Sequence, residues 1–256
     1  MNIDKRCNDL SGKEWLQNSF SIWRNLTKTK EEKDFKHPAS FPVSLCEKLI
    51  KTFSRAGSVV LDPFNGIGST MVAASNLGSY GVGIDLSEEF CNIASNRVIN
   101  DDDINTITGD SFQELKNIDD RFFDICVTSP PYWDILNMKR SADGKANINY
   151  SSENNDLGNI DDYKCFIQSL INVFSEVYRT LKTGGYCIVN VMDIRKKSTF
   201  YPLHSDLSTA MQNIGFIYDD LIIWDRQIDY NNMRPLGYPY RFRINKVHEY
   251  LLIFIK

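Results

Sequence analysis

The chain has 256 residues, 42% hydrophobic and 24% charged, which suits one large α/β domain with a real core and is too short for two generous ones. No run reaches the apolar length of a membrane span, and Met1 to Lys5 is polar, without the apolar centre of a signal peptide, so a cytoplasmic location is expected. The net charge of −4 argues against binding nucleic acid through overall charge, but it leaves room for local basic strips.

The N-terminal 36 residues are polar, with scattered aromatics (Trp15, Phe20, Trp23) and a charge run from Lys28 to Lys36. They read as an arm whose aromatics dock on the main domain while the charges stay wet. Pro38 and Pro42 then break the chain. Ser44 to Phe53 has helical periodicity, with Leu45, Leu49 and Phe53 on one face.

From residue 58 a strand–helix rhythm sets in. Strands are predicted at Ser58 to Leu61, Gly81 to Ile84, Ile104 to Thr108, Phe122 to Thr128, Tyr186 to Val191, Phe216 to Trp224 and Val247 to Ile255. Helices are predicted at Ser69 to Leu77, Glu88 to Val98, Tyr163 to Leu181 (closed by Gly184-Gly185) and Leu203 to Ile214. Continuous apolar strands alternating with helices predict a mostly parallel, seven-stranded sheet covered on both faces. The last two strands have no helix between them and should form an antiparallel edge pair. The six cysteines (Cys7, Cys46, Cys91, Cys126, Cys165, Cys187) fall mostly in apolar stretches, with no Cys-x-x-Cys pair. They read as buried free thiols, and neither a disulfide nor a metal site is expected.

The first strand runs into Asp62-Pro63-Phe64-Asn65-Gly66-Ile67-Gly68-Ser69-Thr70. Gly66 and Gly68 permit a tight turn that a ligand can approach closely. Met71 stands where a dinucleotide fingerprint would want its third glycine, which argues against a nicotinamide enzyme. Asp85 ends the second strand, where a carboxylate can accept from both ribose hydroxyls or interact with the dipole of the following helix. Asp110 ends the third strand and suits either an adenine amino group or a plain helix cap. The fourth strand leads directly into Ser129-Pro130-Pro131-Tyr132. Two prolines fix the backbone and aim its carbonyls, Ser129 adds an acceptor for an amino group, and Tyr132 offers a flat face for an extruded base.

Ser129-Pro130-Pro131-Tyr132 together with Phe64-Asn65-Gly66-Ile67-Gly68 resembles the amino-methylating DNA methyltransferases, which make N4-methylcytosine and N6-methyladenine. His37-Pro38-Ala39-Ser40-Phe41-Pro42 is similar to the family segment that packs on the methionine end of the cofactor. Asp156-Leu157-Gly158, Arg241-Phe242 and His248-Glu249-Tyr250 are also family-like, and the resemblance covers roughly residues 12–256. It implies a Rossmann-like S-adenosylmethionine-dependent methyltransferase fold, with 37–256 as one catalytic domain behind the arm. Cofactor contacts are implied for His37, Pro38, Phe41, Asp62, Pro63, Phe64, Gly66, Gly68, Asp85 and Asp110, and catalytic roles for Ser129, Pro130, Pro131 and Tyr132. Methyl transfer would be direct, from S-adenosylmethionine to an exocyclic amine, with no metal and no covalent adduct. A Ser at the first position leans toward cytosine N4 over adenine N6.

Arg234, Arg241, Arg243 and Lys246 interleave with Tyr238, Tyr240 and Phe242, a mixture suited to phosphate contact and base stacking. Lys139, Arg140 and Lys145 follow the tetrapeptide, and Arg195, Lys196 and Lys197 follow the fifth strand. The segments 134–159 and 226–245 are thus expected to face DNA. A DNA substrate is the expected partner; a homodimer and a cognate restriction endonuclease are further partners the resemblance admits. Two other functions remain open: amino-methylation of an RNA or tRNA base, and a non-catalytic DNA-binding subunit of an active methylase.

Overall fold

The structure, a computed structural model, describes residues 6–35, 40–98, 101–133, 156–230, 233 and 235–256. The N-terminal part contributes α1 (Gly12–Asn18), β1 (Ile22–Trp23), α2 (Lys30–Asp34) and α3 (Val43–Phe53). There follow β2 (Val59–Asp62), α4 (Ser69–Asn76), β3 (Tyr80–Asp85), α5 (Glu88–Arg97), β4 (Ile104–Thr108), α6 (Ser111–Leu115) and β5 (Phe123–Thr128). The remainder is α7 (Tyr163–Thr180), β6 (Leu181–Val191), β7 (Ile194–Lys196), β8 (Thr199–Tyr201), α8 (Leu203–Ile214), β9 (Ile217–Asp225) and β10 (His248–Ile255).

The main sheet has the order β1-β9-β10-β6-β5-β2-β3-β4. Neighbours from β6 through β4 are parallel, while β10 is antiparallel to both β6 and β9. The chain builds outward from β2 through β3 to β4, then crosses back to place β5 on the other side of β2. That reversal makes the carboxyl ends of β2 and β5 a topological switch point, the place where open α/β sheets take their ligands.

The central strands are apolar on both faces because both faces are covered. Leu61 and Cys126 join a core under α7, with Phe166, Leu170, Val173, Phe174 and Val177. Their neighbours Val60, Ile125 and Val127 join a second core under α3, with Leu45, Cys46, Leu49 and Ile50. Alternation along each strand therefore feeds two cores, which is why the sequence shows continuous runs there. Each fully buried Leu, Ile or Phe contributes about 1.5–3 kcal/mol relative to exposure.

Three features differ from the sequence expectation. The sheet has eight strands among the described residues, because Ile22 and Trp23 of the arm pair in parallel with Ile223 and Trp224. Trp23 is 1% exposed, whereas Trp15 and Phe20 stay largely in solvent. The charge run is not wholly wet either: Glu32 is buried, accepting from the Thr29 and Val43 amides. Finally, α7 passes into β6 at Leu181 without a glycine cap, and Gly184-Gly185 lie inside the strand. Gly184 is left-handed (φ 79°), and the register of β6 against β5 shifts there from Phe123↔Leu181 to Ile125↔Tyr186. Of the cysteines, Cys7 and Cys165 are exposed and the other four buried. No helix among the described residues is long and apolar enough to cross a membrane.

Candidate active site

β2 delivers Asp62 to this switch point, and the side chain is 1% exposed. Its carboxylate accepts from Thr70 Oγ1 at 2.6 Å, Thr128 Oγ1 at 2.6 Å and the Phe64 amide at 3.0 Å. Thr70 opens α4 and Thr128 closes β5, so one carboxylate ties the glycine turn to the strand that carries Ser129. Burial pushes the Asp62 carboxyl up to about 6, even though the three donors favour its charged form.

The turn itself requires its glycines. Gly66 and Gly68 are left-handed (φ 51° and 79°), and a Cβ at Gly68 would lie 2.6 Å from that of Ala94 in α5. The Gly66 amide donates to Asp85 Oδ2 at 2.7 Å and the Ser87 amide to Oδ1 at 3.0 Å. Asp85 is thus a clamp on the turn, while Ser87 is the cap of α5. A carboxylate has about four acceptor positions, so two remain for a ligand's hydroxyls. Burial, the largest influence, pushes the Asp85 carboxyl upward. Asp110 caps α6, accepting from the Phe112 amide at 2.8 Å. Pro63 accepts from the Ser111 hydroxyl, Phe64 packs edge-on against Phe174, and Phe41 is buried in the core under α3. His37 and Pro38 lie outside the described residues.

The side-chain amide of Asn65, between Asp62 and Gly66, is buried with neither its nitrogen nor its oxygen partnered among the described residues. The spare acceptor positions on Asp85, beside the left-handed turn at Gly66, fit the hydroxyls of a bound nucleoside, while the Asn65 amide packs on Gly83 of β3.

Ser129-Pro130-Pro131-Tyr132 continues from β5 at the same edge. The Tyr132 ring is half-buried, and its hydroxyl donates to Glu249 Oε2 at 2.7 Å. Asn190 Nδ2 lies 3.0 Å from the Tyr132 hydroxyl and 2.6 Å from the same Glu249 oxygen. Ser129 Oγ is held loosely, at 3.2 Å from the Tyr132 hydroxyl and 3.4 Å from the Asn190 carbonyl. The other Glu249 oxygen pairs with the Arg226 guanidinium. Burial disfavours the charge of Arg226, but Glu249, with Tyr230 and Tyr132 beside it, more than restores it. Burial likewise pushes the Tyr132 phenol well above its ordinary value. Just beyond, Trp133 adopts a left-handed backbone (φ 53°), is 3% exposed, donates to the Ile160 carbonyl at 2.7 Å and packs on Tyr163 and Tyr201. Asn190, Arg226, Trp133 and Glu249 were not selected as site residues by sequence reasoning; only the tripeptide containing Glu249 carried any signal.

Beside this edge, Tyr238, Tyr240 and Phe242 are 79%, 95% and 89% exposed, so they are not tucked into the core. Arg243 lies within electrostatic reach of Arg195 and Arg241; burial first and then those two charges push its guanidinium downward. Phe200 of β8 lies under both Arg195 and Lys246, joining the β7–β8 hairpin to the C-terminal basic segment. Lys196 sits 4.2 Å from the Trp133 ring, which brings that hairpin to the tetrapeptide. Lys139, Arg140, Lys145 and Arg234 lie outside the described residues.

The architecture is that of the S-adenosylmethionine-dependent methyltransferases. One such enzyme from Methanosarcina mazei superposes with a TM-score of 0.53 at 13% identity, over 81% of this chain and 96% of that one. TrmN from Thermus thermophilus gives 0.52 at 16% identity, over 86% of this chain and 50% of that one; both likenesses concern the fold. Residues 3–96 and 123–256 match the model of the DNA methylase family of N6 and N4 methyltransferases, and the chain belongs to that family. It is similar to the orphan methyltransferase M.BamHII of Bacillus amyloliquefaciens, 41% identical over 86 residues, 32% of each chain. It is also similar to the Type II methyltransferase M.MjaI of Methanocaldococcus jannaschii, 30% identical over 166 residues, 59% of this chain and 54% of that one. The chain thus spans about a third to a half of the length of these curated relatives. Family and fold make S-adenosylmethionine the cofactor.

Proposed function

We propose that the chain transfers a methyl group from S-adenosylmethionine to an exocyclic amino group of a DNA base, cytosine N4 in the first place. The observation that carries this is the Asp62 carboxylate, which joins Thr70 of the glycine turn to Thr128 beside Ser129. A donor in the turn and an acceptor at Ser129–Tyr132 would be held in one rigid frame.

The cofactor, when bound, supplies an electrophilic methyl on a sulfonium. Asp85 would receive its ribose hydroxyls, and the family resemblance gives Asp62, at the start of the glycine turn, a contact with the cofactor as well. A base amino nitrogen is a weak nucleophile because its lone pair is delocalised into the ring. Ser129 Oγ and the Pro130 carbonyl would accept its two hydrogens and favour a pyramidal nitrogen as the C–N bond forms. The long contacts of Ser129 leave its hydroxyl free to turn toward an amine. The rate then comes from alignment and fixed dipoles rather than from a covalent intermediate. Tyr132, anchored by its hydroxyl, presents a ring of fixed orientation for the extruded base to stack on.

The basic and aromatic surface formed by Arg195, Arg241, Arg243, Lys246, Tyr238, Tyr240 and Phe242 supports nucleic acid as the substrate, with phosphate and base-stacking contacts side by side. Cytosine is preferred on the Ser at position 129 alone, with adenine N6 as the alternative. Methyl transfer from labelled S-adenosylmethionine to duplex DNA, with bulk tRNA as the comparison, tests the proposal. Transfer to tRNA alone would reassign the substrate.

A further inference from the structure

Behind Ser129–Tyr132 lies a buried carboxylate to which the transfer scheme gives no task. Glu249 is 3% exposed at the start of β10. Its Oε2 accepts from the Tyr132 hydroxyl at 2.7 Å and from Asn190 Nδ2 at 2.6 Å, and its Oε1 pairs with Arg226. A buried ion pair is often no more stabilising than apolar residues of the same volume. β10 is fully buried and apolar from Leu251 to Phe254, so a carboxylate at its start departs from the strand's own pattern.

Asn190 is the second observation. Its side chain is 3% exposed, yet Oδ1 is buried without a partner among the described residues. An ionised carboxylate can only accept, so Glu249 decides how the amide is turned: nitrogen toward the carboxylate, oxygen away from it. The same amide nitrogen lies 3.4 Å from Ser129 Oγ and donates toward it, so the amide links Glu249 to the serine.

Resting on the reading of Ser129–Tyr132 as the transfer site, we propose that Glu249 is a positioning residue acting through Tyr132 and through Asn190, whose amide nitrogen donates toward Ser129 Oγ and holds that oxygen for the amino group of the target base. Ser129 alone is a rotatable acceptor that must also place its own proton. An amide nitrogen fixed by a buried carboxylate is a directional donor to Ser129 Oγ, and it leaves the serine's remaining lone pair aimed at the amine.

The test uses the full chain and steady-state methyl transfer from labelled S-adenosylmethionine to duplex DNA. Glu249→Gln should lower kcat by roughly tenfold to a hundredfold, as expected for a misaligned acceptor. KM for DNA and cofactor affinity should stay within about twofold. Asn190→Ala should lower kcat similarly, and the double variant should lose little more than either single one, because the two act as one unit. Glu249→Asp, which keeps the charge on a shorter arm, should recover part of the loss. Should Glu249→Gln not fold, Asn190→Ala carries the test alone. Turnover within about twofold of wild type in both single variants overturns the inference and leaves the proposed function standing. A kcat loss matched by an equal loss of cofactor affinity would make Glu249 a structural support only. Absence of any transfer by the wild-type chain removes the proposed function and this inference with it.

Discussion

Thr128 Oγ1 lies 2.6 Å from Asp62 Oδ1, and this hydrogen bond couples the end of β5, which leads into Ser129, to the end of β2, which leads into the glycine turn. The two strands are already parallel neighbours through Leu61 and Cys126. The side-chain bond extends their register past the last backbone pair, to the starts of the glycine turn and of Ser129–Tyr132.

Asp62 gives a pH dependence. Burial raises its carboxyl to about 6, above the ordinary carboxylate value, so the folded state holds this proton more tightly than the unfolded chain. Its contribution to stability is full below the unfolded value and is lost as pH rises through about 6. A cationic ligand beside the carboxylate reverses the preference. Binding of S-adenosylmethionine near about pH 5.5 should therefore release a proton, and affinity should rise with pH until about 7. Calorimetry in buffers of different ionisation heat reads the release directly, and buffer-independent heats would remove Asp62 from the cofactor's surroundings.

Asp85→Ala should weaken cofactor binding at least tenfold, since hydrogen bonds to a charged acceptor are worth about 1.5–3 kcal/mol each. The Gly66 amide would also lose its partner, so the turn should loosen together with the loss of the proposed ribose acceptor. Titration of the folded variant with S-adenosylmethionine checks this, and an unchanged Kd would place the ribose elsewhere.

Much of this frame is legible in the sequence because it is local. The glycine turn, Asp85 at a strand end and Ser129–Tyr132 after an apolar strand each occupy a few consecutive residues. The seven strands expected from the sequence are present, and the parallel sheet with its antiparallel pair follows from the missing helix between β9 and β10. Glu249 was not legible in this way. Its contacts join β10 to β6 and to the segment after β5, with Asn190 59 residues away and Tyr132 117 away. β1 escaped because two residues show no period. Asp85 was expected to serve a ribose or a helix dipole, and its grip on the Gly66 amide needed the backbone to be seen.

Trp133→Ala should destabilise the protein by about 3 kcal/mol or more, because a large ring is removed from a packed aromatic cluster. Relief of the left-handed backbone is no compensation, since alanine carries the same Cβ penalty. Urea unfolding monitored by fluorescence gives the midpoint shift. A change below about 1 kcal/mol would mean that the cluster with Tyr163 and Tyr201 repacks freely.

Reversing Arg241 and Arg243 to Glu together should reduce DNA affinity strongly while leaving S-adenosylmethionine binding intact. For the wild type, log affinity should fall linearly with log salt, with a slope near −0.9 per phosphate neutralised. Fluorescence anisotropy with a labelled duplex measures both. A flat salt response, or a double variant that binds as wild type does, would move the DNA surface away from this segment.

The central claim is transfer to an exocyclic amine at Ser129, and mass spectrometry of nucleosides from DNA incubated with the protein and S-adenosylmethionine tests it most directly. N4-methylcytosine should accumulate with wild type, and Ser129→Ala should make it far more slowly while binding the same DNA nearly as well. N6-methyladenine would keep the mechanism and change the base. A methyl group on carbon 5 of cytosine, or no methylated nucleoside at all, would contradict the account.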